Sequence, residues 1–313
     1  MIGIDTIRIK TTGAISTSVC NRMAEQQKVT TYRNPDNTIY NTYKYRLGGA
    51  RDNRMPLLLY TKESGKIELS IPSLPYFING SCLEPIQQTE VPFVYKKLTD
   101  NLEEELDLKV EETVDKWLVP SMDIYHDFHV GNDVSNYLIA LRGVSVPTYK
   151  TWNINNETIY WRNGSRDIKF YDKHVECIEE RKTAIEIEQS KGVLRFEAQL
   201  KAKDIQPDID GGAVTLGNLL LEQVTNTLLN KYLSKIDMNN LLITTEEEMR
   251  LTLTDKYGVK KAHDIVSFIK AKQNGYDQFV SRSTEHRYLT ELKRVGLAPV
   301  IGQKQLNPLS IAS

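Results

Sequence analysis

The stretch Ile168-Lys-Phe-Tyr-Asp-Lys-His-Val-Glu176 opens with alternating apolar and polar residues and closes with a run of charged side chains. Three other segments complete the pattern: Ser121-Met-Asp-Ile-Tyr-His-Asp-Phe-His129, Glu157-Thr-Ile-Tyr-Trp-Arg162 and Gly192-Val-Leu-Arg-Phe-Glu-Ala-Gln-Leu200. Alternation with period 2 in three of the four segments is typical of half-buried strands. The register predicts polar faces for Asp123, Tyr171 and Glu197. It turns four residues inward: Ile124, Phe170, Phe196 and Ala198.

The order of elements from Met122 onward predicts an α+β fold. After the first strand we expect a helix over Asp133–Leu141, two strands joined at Asn163-Gly-Ser165, and a second helix over His174–Gln189. A closing strand over Gly192–Lys201 follows. This βαββαβ order predicts a ferredoxin-like open sheet with both helices on one face. In that fold the first and third strands are neighbours, so Asp123 and Tyr171 are expected side by side, with Glu197 within reach.

The segments before this core predict accessory β structure over residues 1–110. We expect a strand over Ile4–Lys10, then an irregular polar stretch, then a hairpin of Leu57–Thr61 and Lys66–Ile71. Leucines at spacing four predict a helix over Val94–Leu106. The catalytic core itself is assigned to residues 111–205.

Residues 206–313 are predicted to be helical after a turn at Pro207–Gly212. Helices are expected over Leu216–Ile236, after a capping box of Thr245 and Glu248, and over Val259–Lys272 and Ser283–Val295. The last helix is either the recognition helix of a helix-turn-helix or a basic solvated helix closing a bundle, and the pattern leaves both open. Its candidate DNA-binding residues are Arg282, Arg287, Lys293 and Arg294.

Composition allows an enzyme and excludes several other classes. The chain has 313 residues, 40% hydrophobic and 26% charged, with a net charge of −1, which is unlike a strongly basic DNA coat protein. Three widely spaced cysteines argue against a disulfide framework and favour a reducing cytoplasm. No apolar run is long enough to cross a membrane, and the first residues alternate like a strand rather than a signal peptide. A Ser-His-Asp pattern, a glycine-rich phosphate loop and zinc spacing are all missing.

The candidate chemistry combines a tyrosine with carboxylates. Asp123 and Glu197 are hard oxygen ligands suited to Mg²⁺ or Mn²⁺. Tyr171 is the candidate nucleophile because Lys169 and Lys173 flank it and would favour its phenolate. Most tyrosines serve packing, however, and a carboxylate on an open sheet face is usually just solvated. His126 is expected in the core, whereas His129 and His174 stay open as either ligands or surface groups.

Four stretches of this sequence resemble the gene II protein family, the replication initiators of filamentous bacteriophages and related plasmids. They are Met-Asp at 122–123, Glu-Thr-Ile-Tyr-Trp at 157–161, Tyr-Asp-Lys-His-Val-Glu at 171–176 and Gly-Val-Leu-Arg-Phe-Glu-Ala at 192–198. The resemblance covers roughly residues 115–205 in order and spacing. It implies an open sheet like that of the His-hydrophobic-His endonucleases, although this chain has no such triplet, since His126-Asp-Phe-His129 is spaced differently.

The resemblance implies a rolling-circle initiator that nicks and rejoins the plus strand of an origin through a 5′-phosphotyrosyl intermediate on Tyr171. The expected metal ligands are Asp123 and Glu197, then His174 or Glu176. Lys169 and Lys173 are expected to assist, and Arg195 to contact DNA. Expected partners are duplex and single-stranded origin DNA and the host helicase, polymerase and single-strand-binding protein, in the cytoplasm of a bacterial host. A plasmid mobilisation relaxase and a non-catalytic DNA-binding regulator remain as alternatives.

Overall fold

The computed structural model describes most of the chain, and the strands and helices below are bounded within it. The residues outside the description are 27–28, 34–38, 50–51, 111, 143, 155–156, 165, 210–211, 237–244, 275, 277–279, 298, 300, 303–305, 307–308 and 312–313. The protein divides into two compact units. The first contains Met1–Tyr125 and Gln199–Leu229, and the second contains His126–Ala198 and Asn230–Ser313.

Eleven strands are described. They are β1 (Ile4–Ala14), β2 (Val29–Arg33), β3 (Ile39–Arg46), β4 (Leu57–Thr61), β5 (Lys66–Ile71), β6 (Lys109–Val110), β7 (Leu118–His129), β8 (Lys150–Ile154), β9 (Thr158–Asn163), β10 (Arg166–Asp172) and β11 (Val193–Lys201).

Twelve α-helices are described along the same part of the chain. They are α1 (Thr17–Gln26), α2 (Leu74–Asn79), α3 (Val91–Leu106), α4 (Val134–Arg142), α5 (Lys173–Glu179), α6 (Ala184–Gln189), α7 (Ala202–Ile205), α8 (Leu216–Leu219), α9 (Glu222–Leu233), α10 (Glu246–Tyr257), α11 (Val259–Gln273) and α12 (Arg282–Arg294). None of the described helices has the length and apolar character needed to cross a bilayer.

The first unit is built on an antiparallel meander. Its strands follow the order β2-β3-β4-β5-β1-β7, and β6 pairs with β1 beside them. The predicted hairpin forms β4 and β5 with the expected bounds, and Gly65 takes φ 63° in its turn. Ile67, Leu69 and Ile71 of β5 are fully buried, as period-2 alternation requires. Helix α3 confirms the predicted leucine stripe and begins three residues earlier than expected.

The prediction of an irregular polar stretch after the first strand is wrong, because this part of the chain contains α1, β2 and β3. These strands are rich in threonine and tyrosine, and β2 is largely exposed, so they lack the apolar alternation that marks a half-buried strand. Cross-strand pairing supplies their stability instead. Tyr32 stacks on Tyr40 of the neighbouring strand with ring centroids 5.1 Å apart.

In the second unit the strand order is β7-β11-β10-β9-β8. The α+β class is confirmed, with a large antiparallel sheet, but the ferredoxin-like order is not confirmed. β11 lies between β7 and β10, whereas the predicted order makes the first and third strands neighbours. Strand β8 is not predicted by the sequence pattern. Asp123 and Tyr171 therefore lie on strands that are not adjacent, which corrects the predicted side-by-side placement.

Aromatic packing holds this part of the sheet together. Phe170 of β10 lies 5.1 Å from Phe196 and 6.2 Å from Phe128, measured between ring centroids. Trp161 meets Phe170 edge-on at 6.2 Å. Phe170, Phe196 and Trp161 are fully buried, and such pairs contribute about 0.5–1.5 kcal/mol each beyond the burial of apolar area. The predicted inward register of Phe170 and Phe196 is thus confirmed.

Two predicted helices are each divided in two. The helix expected over His174–Gln189 ends at Glu179, Arg181 takes φ 53°, and α6 starts after Thr183. Thr183 and Glu186 form a capping box, a local signal that the sequence carries. The helix expected over Leu216–Ile236 is likewise split into α8 and α9.

The C-terminal helices α10, α11 and α12 share one apolar core. The capping box of Thr245 and Glu248 is present at the start of α10. Leu292 of α12 is fully buried against residues of α10 and α11, including Leu253 and Ile265. The helices predicted over Val259–Lys272 and Ser283–Val295 are confirmed within about two residues. Gly275, in the predicted helix-turn-helix connection, and part of the Pro207–Gly212 turn lie outside the described residues. The predicted division at residues 110 and 205 stays a prediction.

Gly192 lies in close backbone contact with the segment that follows β7. Its carbonyl accepts hydrogen bonds from Val130 N (2.9 Å) and Gly131 N (3.1 Å). It has φ 73°, and a Cβ added there would lie 2.7 Å from Gly131 Cα. Gly164 also has a positive φ, 55°, but no described atom lies within 4 Å of its Cβ position.

We predict that Gly192→Ala lowers the free energy of unfolding more than the control Gly164→Ala. The control loses only the cost of left-handed backbone, about 1–2 kcal/mol. Gly192→Ala adds a backbone clash worth about 1–3 kcal/mol more. Urea unfolding of both variants measures the difference, and equal losses would contradict the close approach of the two glycines.

Candidate functional site

The candidate site of the second unit centres on the hydroxyl group of Tyr171. Tyr171 is the last but one residue of β10, and its side chain is 5% exposed. Its hydroxyl donates a hydrogen bond to Glu197 Oε2 at 3.0 Å. Glu197 lies on β11, the strand next to β10, and is also 5% exposed. The site therefore pairs a buried phenol with a carboxylate that accepts its hydrogen bond.

Lys169 completes the environment of this carboxylate. Its Nζ lies 2.7 Å from the other oxygen of Glu197, Oε1. Lys169 and Tyr171 are two residues apart on one strand, so their side chains leave the same face of β10. As a result the Lys169 ammonium also lies 4.9 Å from the centre of the Tyr171 ring. Placed there, the positive charge stabilises negative charge on Glu197 and on the tyrosine oxygen.

A second ion pair lies at the start of α5. Lys173 is 2% exposed, forms an ion pair with Glu176, and places its Nζ 5.8 Å from the centre of the Tyr171 ring. Burial raises the pKa of the Glu176 carboxyl, but the charge and hydrogen bond of Lys173 and the charges of Arg195 and Lys169 outweigh it. The pKa therefore lies below the ordinary 4.5. Two lysine ammonium groups thus flank one tyrosine, as predicted.

Asp172 fixes where this helix begins. Its Oδ1 accepts hydrogen bonds from His174 N at 2.9 Å and Val175 N at 3.3 Å, which is the geometry of an N-cap. Because the cap immediately follows Tyr171, the chain turns from strand to helix directly beside the hydroxyl. His174 is tied down as well, with Nδ1 2.9 Å from Ile187 O and 3.2 Å from Ser190 Oγ.

The buried cation of this region is Arg195. It is completely buried, and its Nε and Nη2 donate to the two oxygens of Asp127 at 2.6 and 2.7 Å. Bidentate pairing of this kind is the arrangement that makes a buried guanidinium tolerable. The DNA contact predicted for Arg195 is therefore not accessible in this structure, and the side chain acts inside the sheet. Asp127 is not predicted from the sequence as the partner of Arg195. Its alternation with His129 on the same strand face is the signal that marks it as a candidate site residue.

Three of the site residues predicted from sequence come together with Tyr171, and others do not. Lys169, Lys173 and Glu197 each lie close to its ring or its hydroxyl. The register predicts an open polar face for Tyr171 and Glu197, but β11 is buried on both faces from Val193 to Ala198, and this corrects the expectation. Asp123 belongs to the part of β7 in the first unit. The four basic residues of α12 are exposed, which leaves them accessible to a ligand: Arg282, Arg287, Lys293 and Arg294.

A cavity of about 250 Å³ reaches this cluster within the second unit. Tyr171 and Lys169 line it together with carboxylate groups. The acidic lining residues are Glu157, Asp172, Glu176, Glu179 and Glu180. A phosphate group entering this cavity would meet more negative than positive charge, so cationic compensation is needed for a DNA backbone to approach.

The donor atoms suit a hard cation, but their positions do not form a ligand set. Within the described part of the chain no three His, Cys, Asp or Glu side chains converge as metal ligands do. Glu197 and Glu176 are instead neutralised by Lys169 and Lys173, and His174 Nδ1 is held by Ile187 and Ser190. The residues in this arrangement fit a proton-accepting network better than a closed metal site.

Comparison with known proteins identifies the region that carries this cluster. Residues 87–209 match a family model that describes the N-terminal part of the replication-associated protein of phages, the gene II protein. The match confirms over these residues the resemblance to gene II-like replication initiators, and it includes Tyr171, Glu197 and both lysines. No curated protein matches the chain. Residues 87–209 are therefore similar to the N-terminal part of a replication-associated protein.

We predict that the Glu176–Lys173 pair contributes acid-sensitive stability. The folded-state pKa of Glu176 is lowered, so its contribution is complete above the ordinary value of 4.5 and is lost as pH falls below it through the folded pKa. Glu176→Gln should therefore flatten the decline in stability below pH 4.5. Urea unfolding at several pH values measures this.

Glu188→Gln is the matched control for this experiment. Glu188 also pairs with a lysine three residues away, Lys191, but its side chain is 71% exposed. Solvent screens such a pair. Glu188→Gln should therefore leave the decline in the free energy of unfolding below pH 4.5 as it is in the unmodified protein. The same flattening in both variants would show that the Glu176 pair has no special role.

Proposed function

We propose that this chain is a rolling-circle replication initiator that nicks and rejoins the plus strand of an origin through a 5′-phosphotyrosyl intermediate on Tyr171. The observation that supports it best is the hydrogen bond from the Tyr171 hydroxyl to Glu197, next to Lys169. It lies inside the segment that matches the replication-associated family. Direct attack by a phenol at neutral pH requires this kind of help, because its ordinary pKa is near 10.

The chemistry divides among the residues of the cluster. Glu197 accepts the proton of Tyr171 as the phenolic oxygen forms a bond to the phosphorus atom of the backbone. The bond from phosphorus to the 3′-oxygen breaks, and that oxygen takes a proton from solvent water and leaves as a 3′-hydroxyl. Lys169 and Lys173 stabilise the negative charge that grows on the phosphoryl oxygens.

The reverse reaction joins the ends. A 3′-hydroxyl gives its proton to solvent and attacks the phosphorus atom of the phosphotyrosyl linkage. The bond from phosphorus to the Tyr171 oxygen breaks, Tyr171 takes its proton back from Glu197, and the strand is closed. One phosphodiester is exchanged for another, so no nucleotide triphosphate is consumed. The released 3′-hydroxyl primes synthesis, for which host helicase, polymerase and single-strand-binding protein are the proposed partners.

A divalent cation, Mg²⁺ or Mn²⁺, is part of the proposal. The predicted ligands are Asp123, Glu197, His174 and Glu176. Such an ion would supply Lewis-acid polarisation of a phosphoryl oxygen, but in the described part of the chain these donors do not form a closed ligand set. Lys169 and Lys173 pair with Glu197 and Glu176, so the two ammonium groups already neutralise two of the carboxylates that the ion would bind.

Recognition of duplex origin DNA is assigned to α12. It is a 13-residue helix, capped by Ser281, whose buried side holds Leu292 in a three-helix core. Its exposed side offers Arg282, Arg287, Lys293 and Arg294. A basic face on a helix that is anchored by apolar residues is the arrangement that DNA-reading helices use.

We predict that Tyr171→Phe abolishes the covalent DNA adduct while leaving the protein folded. Removing one oxygen deletes the nucleophile and little else, since the phenyl ring keeps its packing. Tyr160→Phe is the matched control, because Tyr160 lines the same cavity and pairs in register with Lys169. The measurement is a denaturing gel after incubation with supercoiled DNA that carries the protein's own origin.

Two outcomes decide this test. An adduct from Tyr160→Phe but none from Tyr171→Phe supports the assignment, and it separates an enzyme from a non-catalytic regulator. An adduct that persists in Tyr171→Phe would show that another tyrosine attacks the DNA.

We predict that Asp123→Ala and Glu197→Ala each reduce nicking by at least ~100-fold, the scale typical of losing a metal-supporting group. Binding of origin DNA should change far less. Glu188→Ala, on an exposed helix, is the control for removing a carboxylate. Nicking is measured at increasing Mg²⁺, and normal magnesium-dependent nicking by either variant would show that its residue is not a ligand.

A further inference from the structure

A second cavity of about 410 Å³ lies in the second unit and is not used by the chemistry above. This volume is within the range of about 300–1,000 Å³ that small-molecule sites occupy. Its apolar wall is formed by Leu138 and Ile139 of α4 and Val175 of α5. Ile139 is 36% exposed, so part of this apolar wall is open to solvent. The cavity therefore offers a flat apolar ligand a surface to pack against.

Arg142 is the polar group that distinguishes this cavity. It lines the wall, is 8% exposed, and donates from Nη1 to Gln273 O at 2.6 Å. Its Nε is buried and has no hydrogen-bond partner. Among the described residues no carboxylate lies within ion-pair distance of it. Burial lowers the pKa of Arg142.

The position of Arg142 is held by its neighbour. Gln273 is 5% exposed, donates from Nε2 to Ile301 O at 2.9 Å and accepts at Oε1 from Ile301 N at 3.2 Å. A buried guanidinium that is fixed in place and lacks a counter-charge is destabilising unless a ligand supplies hydrogen-bond acceptors. An arrangement of this kind is typical of a binding residue rather than a packing residue.

The opposite lining excludes a simple anion. Glu157 and Asp172 line the same cavity, and both would repel a phosphate or a carboxylate. A suitable ligand is uncharged, accepts hydrogen bonds on one edge and donates them on another. Guanine meets these conditions, because O6 and N7 accept from arginine while N1–H and the 2-amino group donate to carboxylates. Cytosine has a single donor group, and adenine places a donor beside N7.

We propose that this cavity binds a guanine base of the single strand that is being nicked, with Arg142 reading its O6 and N7 edge. The inference rests on the proposed function and adds sequence preference to it. The cavity shares Glu157, Asp172 and Val175 with the cavity that reaches Tyr171. A base held here is therefore a close neighbour of the phosphate presented to Tyr171, and its capture selects which phosphate is attacked.

The test measures binding of short oligonucleotides to the full chain by fluorescence anisotropy. The probes are an all-thymidine strand and the same strand with one central guanine, cytosine or 7-deazaguanine. We expect the single guanine to tighten binding about tenfold, the scale of one arginine–guanine pair. 7-Deazaguanine lacks N7 and should lose most of that gain. Guanosine monophosphate is added as a competitor to test whether a free nucleotide is the ligand.

Arg142→Met should remove the guanine preference and leave binding of the all-thymidine strand unchanged. Arg162→Met is the matched control, because Arg162 is an exposed arginine of the same unit, paired with Asp167 at 2.6 Å. It should weaken all probes equally and keep the preference. Thermal unfolding checks that both variants are folded, and the 7-deazaguanine probe tests the unmodified protein if Arg142→Met is not.

The outcomes separate this inference from the proposed function. Equal binding of all strands, a preference for cytosine, or guanosine monophosphate binding as tightly as the guanine strand would each overturn the guanine site. A guanine preference that persists in Arg142→Met overturns it as well. The covalent adduct at Tyr171 is measured on another probe, so either proposal can fail alone.

Discussion

Compensation of buried charge is the constraint on which the second unit depends. Arg195 and Lys173 have almost no exposed surface, and Glu197 has little. Breaking such a buried pair by removing one partner costs about 3–5 kcal/mol, so each charge must find its partner when the strands assemble. Asp127 reaches Arg195 across from β7, and Lys169 reaches Glu197 from β10. The central position of β11 between these two strands satisfies both requirements at once.

The same charge pairing orients the hydrogen-bond acceptor of Tyr171, the residue proposed as the nucleophile. Its hydroxyl donates to a carboxylate whose second oxygen is held by an ammonium group, so the acceptor is oriented before any substrate arrives. A preorganised acceptor avoids part of the reorganisation that water would require. The acidic residues that line the adjoining cavity repel a phosphate group. The proposed cation would reduce this repulsion.

Arg142 differs from the other buried charges described above, because it has no carboxylate partner within ion-pair distance among the described residues. Arg195, which is completely buried, has a bidentate carboxylate partner, whereas Arg142, at 8% exposure, donates to a backbone carbonyl of Gln273. Both lie within the segment that matches the replication-associated family. A protein that keeps one guanidinium buried without a counter-charge, beside a cavity with apolar and carboxylate walls, has the features of a base-reading pocket.

Local pattern alone determined much of this protein. Alternation predicted β4, β5, β9, β10 and β11 to within a residue or two, and strand geometry alone placed Lys169 and Tyr171 on one face. The strands β2 and β3 were not predicted because they are paired without being half-buried. The helix break at Arg181 was not predicted because the apolar spacing continues across it. Only the tertiary structure decided that Glu197, and not Asp123, lies on the strand beside Tyr171. The reason is physical: periodicity reports which face of a strand is buried, while strand order depends on long-range packing and charge pairing that no local pattern contains.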